Sequence, residues 1–304
     1  MKNVLVIGGS MFTGRVFSIQ ASKNGGFELH VVNRGNYPMS LERVTQYKCD
    51  RHEPQIIANL VPDITYDALV DFCAYNPGEI DTIIGTLGKR IQQYIFFSTA
   101  SVCVPADGFL DESAPTEAFG IESDNPISGY ISNKIKLEQE LAEACSKAGI
   151  RYTILRPSFI YGPFNYAPRE SFFIELIAKK QAVPVPIDSH SRFSFVYVLD
   201  VADALMKCID DERAYDEIFN LAGIEAVTYP MLISDLERCN KSPFETYRVT
   251  IEQAEMQNLP LPFPLIGDTL YSGQKFSKIF GFNYTPFSEG MEKTFKVFYS
   301  LHTN

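Results

Sequence analysis

Val4-Leu5-Val6-Ile7-Gly8-Gly9-Ser10-Met11-Phe12-Thr13-Gly14 is the stretch that decides the fold. Four consecutive apolar residues that stop at two glycines read as a short strand buried on both faces and closed by a tight turn. A helical stretch, Gly14–Ser22, follows at once. Glycines at such a turn let the backbone bend sharply and approach a pyrophosphate, whose charge then rests on the helix N-terminus. Gly8, Gly9, Met11, Phe12, Thr13 and Gly14 are therefore candidate cofactor-binding positions. Met11 stands where a middle glycine would be expected, so the three-glycine pattern is incomplete, and a plain strand-to-helix turn is the competing reading.

The unit repeats outward. Asn3–Ile7, Leu29–Asn33, Val44–Cys49, Ala68–Phe72, Gln93–Ser98 and Tyr152–Leu155 are candidate strands, several of them continuous apolar runs. Helical patterns fill the gaps at Gly14–Ser22, Pro54–Leu60, Pro77–Leu87 and Ser128–Lys147. Strands alternating with helices under right-handed crossovers predict an α/β fold, a doubly wound parallel sheet. After Arg156 prolines cluster and the pattern loosens, which predicts a smaller, mixed C-terminal region that walls the substrate. Phe195–Val198 followed by Asp200-Val-Ala-Asp203 reads again as strand then helix. The expected organisation is a dinucleotide-binding domain over 1–160, joined again by 193–222, with 161–192 and 223–304 forming the substrate region.

Composition narrows the functions. The 304 residues carry a net charge of −10, which disfavours a general nucleic-acid binder because such sites need a basic face. No apolar run reaches the length of a membrane span, and the opening Met-Lys-Asn before Val4 is followed by too short an apolar stretch for a signal peptide. Six scattered cysteines without a CxxC pair and four histidines argue against a disulfide framework or a metal site. The expected setting is reducing and cytoplasmic. A small-molecule substrate is expected, with nucleic acid and membrane disfavoured and a homodimer allowed.

A ribose-binding carboxylate belongs about 20 residues past a glycine turn. Here the second strand ends Val31-Val32-Asn33-Arg34. Asparagine can bond a ribose hydroxyl without repelling a 2′-phosphate, and Arg34 can pair with that phosphate, so NADP is favoured over NAD. A solvated surface arginine is the bland alternative. Asp50-Arg51, after the third strand, is a candidate adenine-edge contact or merely a helix entry.

Tyr130-Ile-Ser-Asn-Lys134 opens the long helix. Residues four apart share a face, and the stripe continues through Leu137, Leu141 and Cys145. A lysine in an apolar stripe is costly unless it has a partner or a task. A phenol is a poor base at neutral pH, but a neighbouring ammonium favours the phenolate. Ser98, Thr99 and Ser101, at the end of the fifth strand, offer hydroxyls for the reacting oxygen of a substrate.

The ordered set GGSMFTG, FFSTASV, YISNK and Leu155–Pro163 resembles the short-chain dehydrogenase/reductase superfamily, specifically its extended or atypical NAD-dependent epimerase/dehydratase branch. The resemblance implies a Rossmann domain, an NAD(P) cofactor and hydride transfer on a sugar-like or nucleotide-sugar alcohol or ketone. It implies Thr99 as the catalytic hydroxyl, Tyr130 as acid/base and Lys134 as its electrostatic support. Ala74, Pro157 and Phe159 join the cofactor set, and Ser101, Tyr75 and Arg192 are candidate substrate contacts. Arg192 lies one residue from a diphosphate-binding arginine of the nucleotide-sugar epimerases. The departures are informative: Ala100 and Ser101 replace an Asp-Glu pair of 4,6-dehydratases, which disfavours dehydration, and Asp71-Phe72-Cys73-Ala74 replaces His-Leu-Ala-Ala. Met11 resembles an atypical subgroup with GGxxxxG, in which a non-catalytic redox-sensing or RNA-binding protein is the alternative reading.

Overall fold

The computed structural model describes residues 1–117 and 126–303. Its strands are β1 (Lys2–Ile7), β2 (Phe27–Asn33), β3 (Val44–Lys48), β4 (Ala68–Asp71), β5 (Gln93–Phe97), β6 (Arg151–Pro157), β7 (Phe159–Tyr161), β8 (Val183–Pro186), β9 (Phe195–Tyr197), β10 (Glu217–Leu221) and β11 (Thr246–Val249). Its helices are α1 (Phe12–Asn24), α2 (Pro54–Leu60), α3 (Glu79–Leu87), α4 (Pro126–Ala148), α5 (Glu170–Ala178), α6 (Val198–Cys208), α7 (Tyr229–Asn240), α8 (Ile251–Met256), α9 (Gln274–Phe280) and α10 (Phe287–Thr303).

Seven strands form one parallel sheet in the order β3-β2-β1-β4-β5-β6-β10. This is the expected doubly wound sheet, and its order reverses between β1 and β4, where such sheets open a crevice. Side chains alternate across each strand. Val4 and Val6 face a core shared with Val16 and Phe17 of α1, Val201 and Leu205 of α6, and Phe276 of α9. Leu5 and Ile7 face the opposite core, with Ile57 of α2, Ile83 and Leu87 of α3, and Leu137 and Leu141 of α4. The apolar part of the α4 stripe is thus buried against the sheet, and that packing fixes which way Tyr130 and Lys134 point.

A third core lies beyond β6. Phe173 and Ile177 of α5, Phe193, Phe195, Tyr229 and Leu232 of α7, Phe263, and Met291 and Phe295 of α10 pack together. Its centre is aromatic: Phe193 stacks on Phe263 with ring centroids 5.0 Å apart, and Phe195 stacks on Phe287 at 4.9 Å. Two short parallel pairs, β7–β9 and β8–β11, frame it. Among the described residues no helix is long and apolar enough to cross a membrane.

Candidate active site

The glycine turn is built around one close approach. A Cβ on Gly14 would lie 2.3 Å from the Cα of Gly9, so helix and turn touch backbone to backbone. Gly8 and Gly9 adopt φ of 95° and 72°, where side chains are disfavoured. Phe12 sits in the left-handed region as well, at φ 36°, with its ring edge-on to Tyr166 at 6.3 Å. Among the described residues no side chain caps α1, and its first turn carries no acidic residue. Its leading N–H groups are therefore open to an anion.

From this turn a cleft of about 540 Å³ runs along the C-terminal ends of the strands. It is lined at one end by Asn33, Arg34 and Asp50 and at the other by Thr99, Tyr130, Lys134 and Arg169. The two groups of predicted residues therefore share one space.

At the first end, Asn33 is occupied. Its amide nitrogen donates to the Gly8 carbonyl at 3.3 Å, and its oxygen accepts from Gly35 N at 2.9 Å and from Gln46 at 2.7 Å. It braces the turn, with little left for a ribose. Arg34 is exposed and makes no hydrogen bond or ion pair among the described residues. Asp50 accepts from the His52 backbone at 3.0 Å and its ring at 2.7 Å, which hold its carboxyl below the usual carboxylate range. Arg51 turns inward instead. Its Nη1 meets both oxygens of buried Asp71 at 2.9 and 3.0 Å, so its charge is committed within the protein although the residue lines the cleft.

At the second end, Lys134 is 2% exposed. Its Nζ donates to the carbonyls of Ala74 at 2.9 Å and Phe97 at 2.7 Å, and burial lowers its pKa to about 8. Ala74 is wholly buried, and its carbonyl serves Lys134. Tyr130 is 38% exposed along the cleft, and its ring lies 6.4 Å from that of Tyr75, which also lines the cleft. Burial raises the Tyr130 phenol pKa, and the charge that opposes this is Arg169, not Lys134. The expectation of a lysine-lowered phenol is corrected here: Lys134 Nζ lies 5.8 Å from the Tyr130 ring centroid and is pinned to two carbonyls.

The strand-end hydroxyls divide by partner. Ser98 donates to Glu138 at 2.5 Å, and Glu138 is gripped in turn by Arg156 through Nε at 2.9 Å and Nη2 at 2.5 Å. Ser101 is exposed, lies outside the cleft lining and bonds the phenol of Tyr271. Thr99 lines the cleft; its Oγ1 accepts from Ser101 N at 3.3 Å and keeps its own proton to donate.

Pro157 and Ser158 line the cleft, and the Ser158 hydroxyl is buried without a partner among the described residues. Phe159 does not line it. It is drawn into the aromatic core, 5.6 Å from Phe263, and holds the Arg169 guanidinium 5.4 Å over its ring. Arg192 is also elsewhere: it is half exposed and paired with Asp268 through Nε at 3.0 Å and Nη2 at 2.5 Å. Arg169, Tyr166 and Asn165 line the cleft and were absent from the expected set. Their sequence signal is faint, a lone arginine after Pro168 in a proline-flanked loop.

Comparison with known proteins follows the same lines. The model of the NAD dependent epimerase/dehydratase family matches residues 81–222. The chloroplast stem-loop binding protein of 41 kDa b of Arabidopsis thaliana is 26% identical over 244 residues, 75% of this chain and 60% of that protein. UDP-glucose 4-epimerase of Vibrio cholerae is 22% identical over 169 residues, 52% of this chain and 47% of that protein. The chain thus matches less than two thirds of either relative. Among solved structures, UDP-glucose 4-epimerase of Stenotrophomonas maltophila with bound NAD superposes with a TM-score of 0.81 at 17% identity, covering 99% of this chain and 98% of that one. A dTDP-glucose 4,6-dehydratase of Bacillus anthracis with NAD gives a TM-score of 0.79 at 16% identity, covering 99% and 97%. These likenesses show the fold.

Proposed function

We propose that the chain is a member of the NAD-dependent epimerase/dehydratase family, whose model matches residues 81–222, and that it is an NAD(P)-dependent oxidoreductase or epimerase acting on a nucleotide-sugar alcohol or ketone. One observation carries the reading: Thr99, Tyr130 and Lys134 line the same cleft as the glycine turn. The residues fit a dinucleotide, since among the described residues no side chain caps the N-terminus of α1 and the buried Ser158 hydroxyl has no partner, and Gly14 leaves no room for a Cβ. Gly8, Gly9, Thr13 and Gly14 would hold the pyrophosphate, Arg34 and Asp50 the adenosine end, and Pro157 and Ser158 the nicotinamide end. A bound nicotinamide supplies the acceptor and donor of hydride. Tyr130 takes the proton from the substrate hydroxyl as it is oxidised and returns it on reduction. Thr99 donates a hydrogen bond to the same oxygen, and Arg169, the cation that opposes burial of the phenol, favours the phenolate. Ala100 and Ser101, in the places of the Asp-Glu pair, speak against dehydration.

A second reading rests on the Arabidopsis relative, whose name describes stem-loop binding. The charge of −10 weighs against it here. Adding nucleotide sugars to cofactor-loaded protein and following nicotinamide absorbance separates the two, since an RNA-binding module gives no signal.

Arg34 decides the cofactor. It is exposed on the cleft and unpaired, so NADPH should bind roughly tenfold more tightly than NADH, in line with a charge-assisted bond to phosphate. Arg34→Ala should erase most of that preference. Fluorescence titration of both dinucleotides against both proteins checks it, and equal affinities in the parent chain count against Arg34.

Lys134 should leave a mark on stability. Its pKa is about 8 when folded and near 10.5 in the open chain, so between those values the unfolded state holds more protons. Stability therefore rises with pH across that window, relative to a Lys134→Met variant, by about 3 kcal/mol. Chemical denaturation of both cofactor-free proteins between pH 7.5 and about 10.5 measures it. Parallel pH profiles would mean that Lys134 is not desolvated.

A further inference from the structure

We propose that Arg169 is the receptor for an oxyanion of the substrate at the reacting end of the cleft. The proposal rests on the cleft being the substrate site argued above. Arg169 lines the cleft with Tyr130, Tyr166 and Asn165, and among the described residues no carboxylate oxygen lies within 4 Å of it. Among the described residues its guanidinium makes one long hydrogen bond, Nη1 to the Ile160 carbonyl at 3.4 Å. A guanidinium has five N–H donors, so most of its capacity is unused.

Its neighbours make the vacancy specific. Of the other cations that line the cleft, Arg51 is committed to Asp71, Lys134 is held by two carbonyls, and Arg34 lies at the opposite, adenosine end. Glu170, the adjacent residue, turns inward to accept from Gly162 N at 3.0 Å and Asn165 at 3.1 Å, so it acts on Arg169 through its charge and leaves the guanidinium N–H groups free of it. Phe159 lies beneath the guanidinium at 5.4 Å and is itself wedged against Phe263, which holds the plane of the charge in place. Burial disfavours the charged form of Arg169, so the arrangement carries an energetic cost within a chain already rich in acid. A ligand oxyanion would offset it by bidentate pairing.

In a nucleotide sugar that oxyanion comes from a sugar carboxylate or from the diphosphate. The test uses NAD-loaded protein, with UDP-glucose and UDP-glucuronic acid as calorimetric probes, on the parent chain, Arg169→Gln and Arg169→Lys. Arg169→Gln should weaken at least one probe by about tenfold or more, as expected for a lost charge-assisted bond, with NAD affinity unchanged. A loss confined to UDP-glucuronic acid assigns the carboxylate; equal losses assign the diphosphate. Arg169→Lys keeps the charge without the fork and should lose less. If both probes bind Arg169→Gln within about twofold of the parent, Arg169 is no receptor, while the function proposed for the cleft stands. A parent chain that binds NAD but neither probe contradicts both, and one that does not bind NAD contradicts the functional reading first.

Discussion

Tyr130→Phe is expected to lower turnover by a factor on the order of 10² or more while shifting stability by about 1 kcal/mol or less. The asymmetry follows from the site. The phenol faces the cleft and makes no hydrogen bond within the protein among the described residues, so its oxygen contributes little to the fold. Its ring packs near Tyr75 and above Lys134 in either variant. Only the proton carrier is lost. Steady-state rates at the nicotinamide absorbance, alongside thermal unfolding with and without cofactor, would show the split. Full activity in Tyr130→Phe would remove it from the mechanism.

Gly14→Val should collapse cofactor binding. Even the first atom of a side chain would sit 2.3 Å from the Gly9 Cα, and the obstacle is backbone, which cannot rotate aside. The turn must open, and with it the close approach that places helix N–H groups against a pyrophosphate. Overpacking of this kind typically costs up to about 3 kcal/mol, which as lost affinity is roughly hundredfold. Circular dichroism should show that the sheet survives. Normal dinucleotide affinity in this variant would place the cofactor elsewhere.

The parts that could be read from the sequence are those governed by local pattern. β1, β4 and β5 announce themselves because strands covered on both faces are largely apolar, whereas β3, Val44-Thr-Gln-Tyr-Lys48, is a partly exposed edge strand. β10, Glu217-Ile-Phe-Asn-Leu221, carries two polar residues, one of which, Asn220, is tied to Leu110 and Glu112 more than a hundred positions away. Nothing local marks it as the seventh strand of the sheet. The Tyr130–Lys134 spacing is likewise local, a single helical turn. The arginines are not. Arg192 and Arg169 look alike in sequence, and only the fold shows that Asp268 captures the first while the second is left facing the cleft. The family resemblance implies Phe159 at the cofactor, but its ring packs into the aromatic core against Phe193, Phe195 and Phe263. Electrostatics were the least legible. Whether a phenol is pushed up or down depends on the depth of its burial and on the nearest free cation, and both are tertiary facts.

The central claim is that one cleft joins a dinucleotide turn to a proton-transfer site. Single-turnover absorbance tests it most directly: protein loaded with the oxidised dinucleotide is mixed with UDP-glucose or UDP-glucuronic acid, and reduced nicotinamide is followed in time. A rise in reduced nicotinamide with the parent chain, absent in Tyr130→Phe, is the predicted result. A parent chain that holds the dinucleotide yet shows no reduction with either sugar, while retaining tight binding to a stem-loop RNA, would contradict it.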